Sequence, residues 1–273
     1  MPEIIAFVGG GNMATSLIGG LVAAGHAPSA LRVAEPDRDR AAALRTRFGV
    51  TVEAEARAIV GGAGTVVLAV KPQQMGEALR GLALDAGACV VSIAAGIRLD
   101  FLRQALGPDA HYVRSMPNTP ALYGCGISGL YAAPQTPASA RDRAAHVLRA
   151  AGETVWLERE SDLDAVTAVS GSGPAYFFLL VEAMRDAGVA LGLSPQTAAR
   201  LAARTCVGAA RMVDGGTTDV AELRQQVTSK GGTTEAALQH FEAAGLRGIV
   251  RDALTAAARR SEELGDQLAK ASR

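Results

Sequence analysis

Aromatic residues, lysines and cysteines are all scarce in this sequence. Aromatics make up 4% of the 273 residues, which leaves Ala, Leu and Val to fill the core and suits helices packed closely through small side chains. Lysine occurs only as Lys71, Lys230 and Lys270, so a mechanism needing a lysine acid or a Schiff base has three candidates. The three cysteines, Cys89, Cys125 and Cys206, are widely spaced and sit beside apolar residues or Gly. An odd, scattered set argues against a disulfide framework or a metal cluster and fits a reducing cytoplasm. His26, His111, His146 and His240 show no ligand spacing, so no metal site is expected. There is no charge excess of either sign: Lys plus Arg total 27 and Asp plus Glu total 27. That removes the basic surplus by which a protein binds nucleic acid or anionic lipid. Apolar stretches such as Phe177 to Val181 and Cys89 to Ala95 fall short of the roughly 20 residues of a spanning helix. The Met1-Pro2-Glu3 start has no basic region or small-residue cleavage site. The expectation is a soluble cytoplasmic protein without membrane or nucleic-acid partners.

What is present is a globular composition, 49% hydrophobic and 20% charged, in a chain long enough for two domains. The first 160 residues alternate β-branched runs with helical patterns, the signature of βαβ units and a parallel sheet. Strands are expected at Ile4 to Val8, Leu31 to Ala34, Thr65 to Val70, Cys89 to Ile93, Tyr112 to Arg114, Ile127 to Tyr131 and Glu153 to Leu157. Helices are expected between them, at about Asn12 to Ala24, Arg38 to Arg47, Gln73 to Gly81, Leu99 to Leu106 and Ala138 to Ala151. After Glu160 the β-branched runs stop. Helices are expected at Leu163 to Val169, Pro174 to Leu191, Pro195 to Val213, Val220 to Gln226, Thr233 to Glu242 and Leu246 to Leu264. Ala198 to Ala210 is apolar around much of its circumference, more than a surface helix needs, and a subunit interface would cover it. The predicted architecture is therefore α/β: a doubly wound, Rossmann-like parallel sheet over residues 1–160 and an all-helical dimerisation domain over 161–273.

The first strand runs into Gly9-Gly10-Gly11-Asn12-Met13-Ala14, a G-x-G-x-x-A turn that opens a helix. Gly9 permits the tight turn, Gly11 lets backbone approach a pyrophosphate, and Ala14 allows close helix packing. The helix N-terminus offers free N–H groups. The alternative is a Gly-rich turn without a ligand. At the second strand's end, Glu35 could accept hydrogen bonds from a ribose diol, favouring NADH, while Arg38 or Arg40 could neutralise the 2′-phosphate of NADPH. A solvated charged turn is the competing reading. Val70-Lys71-Pro72-Gln73 ends another strand, its backbone bordering the cofactor crevice, with the Lys71 ammonium either solvated or in contact with a ligand. Ser115-Met116-Pro117-Asn118-Thr119-Pro120 is a stiff loop at a strand end, where Asn118 is either a turn residue or a donor and acceptor beside a cofactor ring. Ser170-Gly171-Ser172-Gly173-Pro174 reads as a helix break, with Ser172 or Gly173 capping the next helix.

The segment Val227-Thr228-Ser229-Lys230-Gly231-Gly232-Thr233-Thr234-Glu235 is the richest in chemistry. Gly231 and Gly232 can present consecutive N–H groups to a carboxylate, and Thr234 or Ser229 can reach a polar atom beside it. An ordinary cap, with Gly232 at the N-cap and Glu235 three residues on, explains the same residues.

Taken together, Gly9-x-Gly11-x-Met13-Ala14, Val70-Lys71-Pro72-Gln73, Met116-Pro117-Asn118-Thr119-Pro120, Ser170-Gly171-Ser172-Gly173-Pro174-Ala175-Tyr176 and Thr228-Ser229-x-Gly231-Gly232-x-Thr234 resemble pyrroline-5-carboxylate reductases over essentially the whole chain. The resemblance implies reduction of 1-pyrroline-5-carboxylate to L-proline by NADPH, or by NADH, as the last step of proline biosynthesis. It implies a cofactor site of Gly9, Gly11, Asn12, Met13, Ala14, Glu35, Arg38, Val70, Lys71 and Pro72, with Met116, Pro117 and Asn118 near the nicotinamide. It places the substrate on Ser229, Gly231, Gly232 and Thr233, with Thr234 hydrogen-bonding the imine nitrogen. It also implies a dimer of interlocked helical domains, assembled further into a homo-oligomer such as a decamer. Lys230 and Val220 stand where the family usually has Pro, and Lys230 either loosens the substrate turn or adds charge beside the carboxylate. A related 3-hydroxyacid dehydrogenase would need a lysine early in the second domain, and none occurs between Lys71 and Lys230. The alternatives are a dinucleotide-sensing dimer that has lost its chemistry, and a reductase of a related cyclic imine.

Overall fold

The computed structural model describes residues 2–271, and contacts divide the chain into one unit of residues 1–172 with 257–273 and a second of 173–256. The first unit is built on eight strands: β1 Ile5–Val8, β2 Leu31–Ala34, β3 Thr51–Glu53, β4 Thr65–Leu68, β5 Cys89–Ser92, β6 His111–Met116, β7 Gly126–Ala132 and β8 Gly152–Trp156. They form a single sheet in the order β3-β2-β1-β4-β5-β6-β7-β8. β1 lies between β2 and β4, parallel to both. The chain thus winds outward from β1 on one side and then from β4 on the other, which puts a topological switch point at the carboxyl ends of β1 and β4.

Strands such as IAFV, TVVL and CVVS are buried along their whole length, as expected where helices cover both faces. Alternate residues serve opposite faces. Ile5, Phe7, Val67 and Val91 pack on Leu17 and Leu21 of α1 (Asn12–Ala23), Leu44 of α2 (Arg38–Phe48) and Leu148 of α5 (Ala138–Arg149). Ala6, Val8, Val66, Leu68 and Val90 pack on Met75 of α3 (Met75–Ala78) and Leu102 of α4 (Leu99–Leu106). α1 approaches the end of α5 so closely that a Cβ on Gly20 would stand 1.8 Å from the Ala150 carbonyl oxygen.

The structure departs from the sequence reading in four places. β3 was not expected; in its TVE only Val52 is buried, too short an alternation to register. The sheet is not wholly parallel, since β7 runs antiparallel to β6. The connection 117–125, a 3-10 turn Thr119–Tyr123 with its flanks, is shorter than the dozen or so residues of a parallel crossover. The helix expected over Gln73 to Gly81 shrinks to a 3-10 turn Pro72–Gln74 and the single turn of α3, because Gly76 and Gly81 weaken helix propagation. Finally, Ser170 to Gly173 is not a break. α6 (Asp162–Val166) widens into a π-turn over Thr167–Gly171, closed by the Ser172 N–H on the Thr167 carbonyl at 2.8 Å, and α7 (Gly173–Ala190) follows directly.

The second unit contains α7, α8 (Pro195–Asp214), α9 (Val220–Gln226), α10 (Thr233–Ala243) and the first part of α11 (Leu246–Ala271). Ser194 caps α8 by accepting the Thr197 N–H, and Asp219 caps α9 by accepting the Ala221 N–H. α7 packs on α8 through small residues, with Gly188 against Ala198. Much of the apolar surface stays open: Phe177, Phe178, Leu179, Leu180, Leu201 and Ile249 are all at least half exposed. With the π-turn included, the helical run Asp162–Ala190 is long and apolar enough, by length and composition, to cross a membrane.

Candidate active site

The switch point is where the sequence places its first glycine turn. Gly9 has φ +102°, a left-handed conformation, and a Cβ there would lie 2.8 Å from the Ala69 carbonyl oxygen, so the turn passes tightly over the end of β4. Gly11 is the N-cap of α1 and carries no side-chain cap. Nothing lies within 4 Å of where its Cβ would be. Ala14 is fully buried under the helix. Asn12 is exposed and Met13 half-buried on the same first turn. An uncapped helix N-terminus with open space before it is suited to an anion such as a diphosphate.

A cavity of about 730 Å³ opens in front of this turn, bounded by Gly9 to Gly11, Glu35, Arg40, Val70 and Lys71. That is within the usual range for a small-molecule site. Arg57, Arg80, Glu55 and Glu77 also face it. Glu35 pairs with Arg40 at 3.0 Å and Glu55 with Arg57. Among the described residues no carboxylate pairs with Lys71 or Arg80, and an anionic ligand would meet both cations. Arg57 and Arg80 escaped the sequence reading because they lie outside any motif; only the fold brings them to this rim.

Glu35 is not the open acceptor that a ribose reader would be. It is 5% exposed. One oxygen takes the Gly10 N–H and the Arg40 guanidinium, each at 3.0 Å, and the other takes the Asp37 N–H at 3.0 Å. Asp37 in turn caps α2, accepting the Arg40 N–H at 2.8 Å. Glu35 is thus a strut between the glycine turn and the start of α2. Arg40 lines the cavity, whereas Arg38 is an exposed residue of the same first helical turn.

Across the sheet, Met116 and the buried Pro117 and Asn118 leave β6. Both ends of the Asn118 amide are engaged: it donates to Ser170 Oγ at 3.1 Å and accepts the Ile127 N–H at 3.0 Å. Its side chain braces the loop against β7 and the π-turn. Met116 Cε would lie 2.4 Å from a Cβ on Gly171, so the glycine in the π-turn makes room for this methionine. Pro72 opens the 3-10 turn, with Lys71 exposed before it.

In the second unit, Ser229 to Gly232 forms a turn, the Gly232 N–H donating to the Ser229 carbonyl at 3.0 Å. Gly231 has φ +74°, and its N–H donates to Glu235 Oε2 at 2.7 Å. Gly232 is the N-cap of α10. The two glycine N–H groups expected to face one carboxylate are therefore both satisfied locally, and the anion on Gly231 is the protein's own Glu235. Thr233 and Thr234 follow in the first turn of α10, where backbone N–H groups have no intrahelical acceptor. Ser229 and Lys230 are exposed.

A doubly wound sheet with an open glycine turn at its switch point, accompanied by a unit of helices with uncovered apolar faces, defines the class of dinucleotide-binding proteins with a helical second unit. Residues 4–96 match the family model described as NADP oxidoreductase, coenzyme F420-dependent, and residues 160–264 match that for pyrroline-5-carboxylate reductase dimerisation. Pyrroline-5-carboxylate reductase of Pseudomonas aeruginosa is 49% identical over 266 residues, spanning 97% of both chains. The solved structure of a pyrroline-5-carboxylate reductase from Coxiella burnetii superposes with a TM-score of 0.91 at 37% identity, covering 97% of this chain and 99% of that one. That of Plasmodium falciparum pyrroline carboxylate reductase with NADP bound superposes with a TM-score of 0.82 at 26% identity, over 96% and 98%. The chain belongs to the pyrroline-5-carboxylate reductase family.

Proposed function

We propose that the protein reduces 1-pyrroline-5-carboxylate to L-proline in the cytoplasm, with NADPH as reductant and NADH as a possible substitute. The observation that carries the reading is the open, uncapped N-terminus of α1 at the β1/β4 switch point, in a chain whose relatives along its whole length carry that name. The residues fit the dinucleotide: Gly9 and Gly11 leave a cradle that a Cβ would narrow or fill, and Lys71 and Arg80 face it. In this reading residues 1–160 serve the dinucleotide and 161–273 serve dimerisation and substrate, with α6 and the last part of α11, from residue 257, folded as part of the first unit.

The cofactor, when bound, supplies the hydride that the imine carbon accepts. Gly9, Gly11, Asn12, Met13 and Ala14 hold its diphosphate, Val70 to Pro72 border it, and Met116 to Asn118 shape the wall beside its ring. Arg40, and Arg38 from the same first turn of α2, favour the 2′-phosphate of NADPH, because Glu35 is already committed to three protein donors. Ser229, Gly231, Gly232 and Thr233 hold the substrate carboxylate, which displaces Glu235 from the Gly231 N–H, and the Thr234 hydroxyl hydrogen-bonds the ring nitrogen, which takes a proton from solvent as the C=N bond becomes C–N. Orientation of this kind contributes several kcal/mol without a lysine or histidine acid. The exposed apolar side chains of α7 form the seam of a homodimer in which cofactor and substrate residues come together, and such dimers assemble further, for example into a decamer.

The test is direct. Purified protein given 1-pyrroline-5-carboxylate and reduced cofactor consumes the cofactor's near-ultraviolet absorbance and yields proline. Absence of turnover with both NADPH and NADH overturns the reading.

A further inference from the structure

The loop 93–98 leaves the carboxyl end of β5, on the far side of β4 from the adenosine half of the crevice. In the reading above, on which this inference rests, that half of the sheet carries the nicotinamide ring. The loop is held by a segment remote in sequence, residues 257–271 of α11, which belong to the first unit. Ser261, 5% exposed, donates to Asp164 at 2.6 Å and fixes this part of the helix beside α6. One turn on, Gly265 lies against Gly96. A Cβ on Gly265 would stand 3.2 Å from the Gly96 carbonyl oxygen and 3.3 Å from Arg98 Nε, and one on Gly96 3.1 Å from the Gly265 nitrogen. Arg98 donates to Asp266 at 3.0 Å. At the loop's far end the Leu99 N–H donates to Glu160 Oε1 at 2.8 Å, and that same oxygen takes the buried Arg114 at 2.8 Å.

Glycine costs a helix about 1 kcal/mol relative to alanine. α11 is otherwise rich in alanine, with Ala253, Ala256, Ala257 and Ala258 before this point. A glycine at 265, where its missing Cβ admits the backbone of a strand-end loop, points to a close approach that outweighs helix propensity. We propose that Gly265 and Asp266 are positioning residues for hydride transfer. They fix the 93–98 loop at the carboxyl end of β5, in the half of the sheet that would face the nicotinamide, without touching substrate themselves.

The test uses Gly265→Ala and Asp266→Asn in the full-length protein, with Asp266→Glu as the conservative control. Three quantities are read: kcat with NADPH and with its 4-deuterated form, affinity for NADPH, and affinity for 2′-phospho-ADP-ribose, which lacks the nicotinamide. Gly265→Ala is expected to lower kcat about tenfold, as expected for a misplacement of less than an ångström. It should also raise the deuterium effect as hydride transfer becomes limiting, and weaken NADPH while the ring-less fragment binds as before. Asp266→Asn should act in the same direction more mildly, and Asp266→Glu should restore the wild-type values. Unchanged kcat and isotope effect in both variants, or equal loss of NADPH and fragment affinity, overturns the proposal. The ratio of NADPH to fragment affinity needs no turnover. A wild-type protein inactive on the pyrroline substrate would therefore sink the parent reading while this ratio still decides the present one.

Discussion

Glu35 accepts the backbone N–H of Gly10 at 3.0 Å across 25 residues of chain. The bond ties the middle of the glycine turn to the end of β2, and the carboxylate is almost fully enclosed. Removing a buried acceptor leaves its donor unsatisfied, at a cost of about 1–3 kcal/mol. Glu35→Ala should therefore lower unfolding free energy by about 2 kcal/mol and weaken both NADPH and NADH, since the turn itself loosens. Glu35→Gln, which keeps an acceptor for one N–H, should lose less. Urea unfolding with cofactor titration checks this. If Glu35→Ala improved binding of NADPH while NADH stayed constant, the side chain would be a selectivity gate and not a strut.

Arg40 is about half exposed and reaches the cavity from the first turn of α2 while paired with Glu35. A charge-assisted contact to a 2′-phosphate contributes about 1.5–3 kcal/mol, and the exposure argues for the lower figure. Arg40→Ala should raise KM for NADPH about tenfold and leave KM for NADH nearly unchanged. Steady-state kinetics with the two cofactors decide it, and an equal change in both assigns Arg40 to the architecture of the turn.

The sheet, the switch-point turn and the helical second half were legible because each rests on a local pattern: buried β-branched runs, a G-x-G-x-x-A spacing, and loss of β-branching after Glu160. What stayed hidden depends on partners distant in the chain. Glu35 and Asn118 looked like ligand contacts because both are polar and end strands. Their engagement with Gly10, Arg40, Ser170 and Ile127 appears only once the strands are side by side. The reversal of β7 turned on the length of one connection, and the π-turn at Thr167–Gly171 sets its glycine against Met116, a residue far away in the chain. Neither has a periodic signal.

Cys89 is buried in β5, and its thiol donates to the Ala140 carbonyl at 3.2 Å. Burial is the largest influence and pushes the thiol up to about 12 from an ordinary 9.0, against the opposing pull of nearby Arg143. In the unfolded chain the same thiol ionises near its ordinary value. The folded protein thus keeps this contribution below about pH 9 and loses it as pH rises towards 12, with a slope of up to about 1.4 kcal/mol per pH unit. Urea midpoints of wild type and Cys89→Ala followed from pH 8 to 11 should converge as pH rises. Parallel curves would show that the thiol ionises at its ordinary value.

Phe177, Phe178, Leu179 and Leu180 of α7 are 62%, 69%, 66% and 50% exposed, a run too apolar to face water. Four successive positions span the full turn of a helix, so packing on α8 alone cannot cover them. In a two-fold dimer each side chain is buried twice, at about 2 kcal/mol or more apiece. Phe178→Asp should thus cost the dimer at least about 4 kcal/mol, close to a thousandfold in Kd. Light scattering on the eluted protein reads the mass directly. A variant that keeps the wild-type mass across a dilution series would remove this face from the interface.

Glu235 holds the Gly231 N–H at 2.7 Å, the group proposed to receive the substrate carboxylate. Two consequences of one bond pull in opposite directions. As the acidic third residue of α10 reaching back past the N-cap, Glu235 stabilises the helix start, and its loss should cost about 1 kcal/mol. As a negative charge on the same N–H, it competes with an incoming anion and repels it. Glu235→Gln keeps the reach of the side chain and removes the charge, so KM for 1-pyrroline-5-carboxylate should fall severalfold while KM for NADPH stays put. Glu235→Ala should show the lower KM together with a lower melting temperature. A rise in substrate KM in both variants would mean that Glu235 shapes the turn the substrate needs, and that the anion binds at the N–H groups of Thr233 and Thr234 with Glu235 in place.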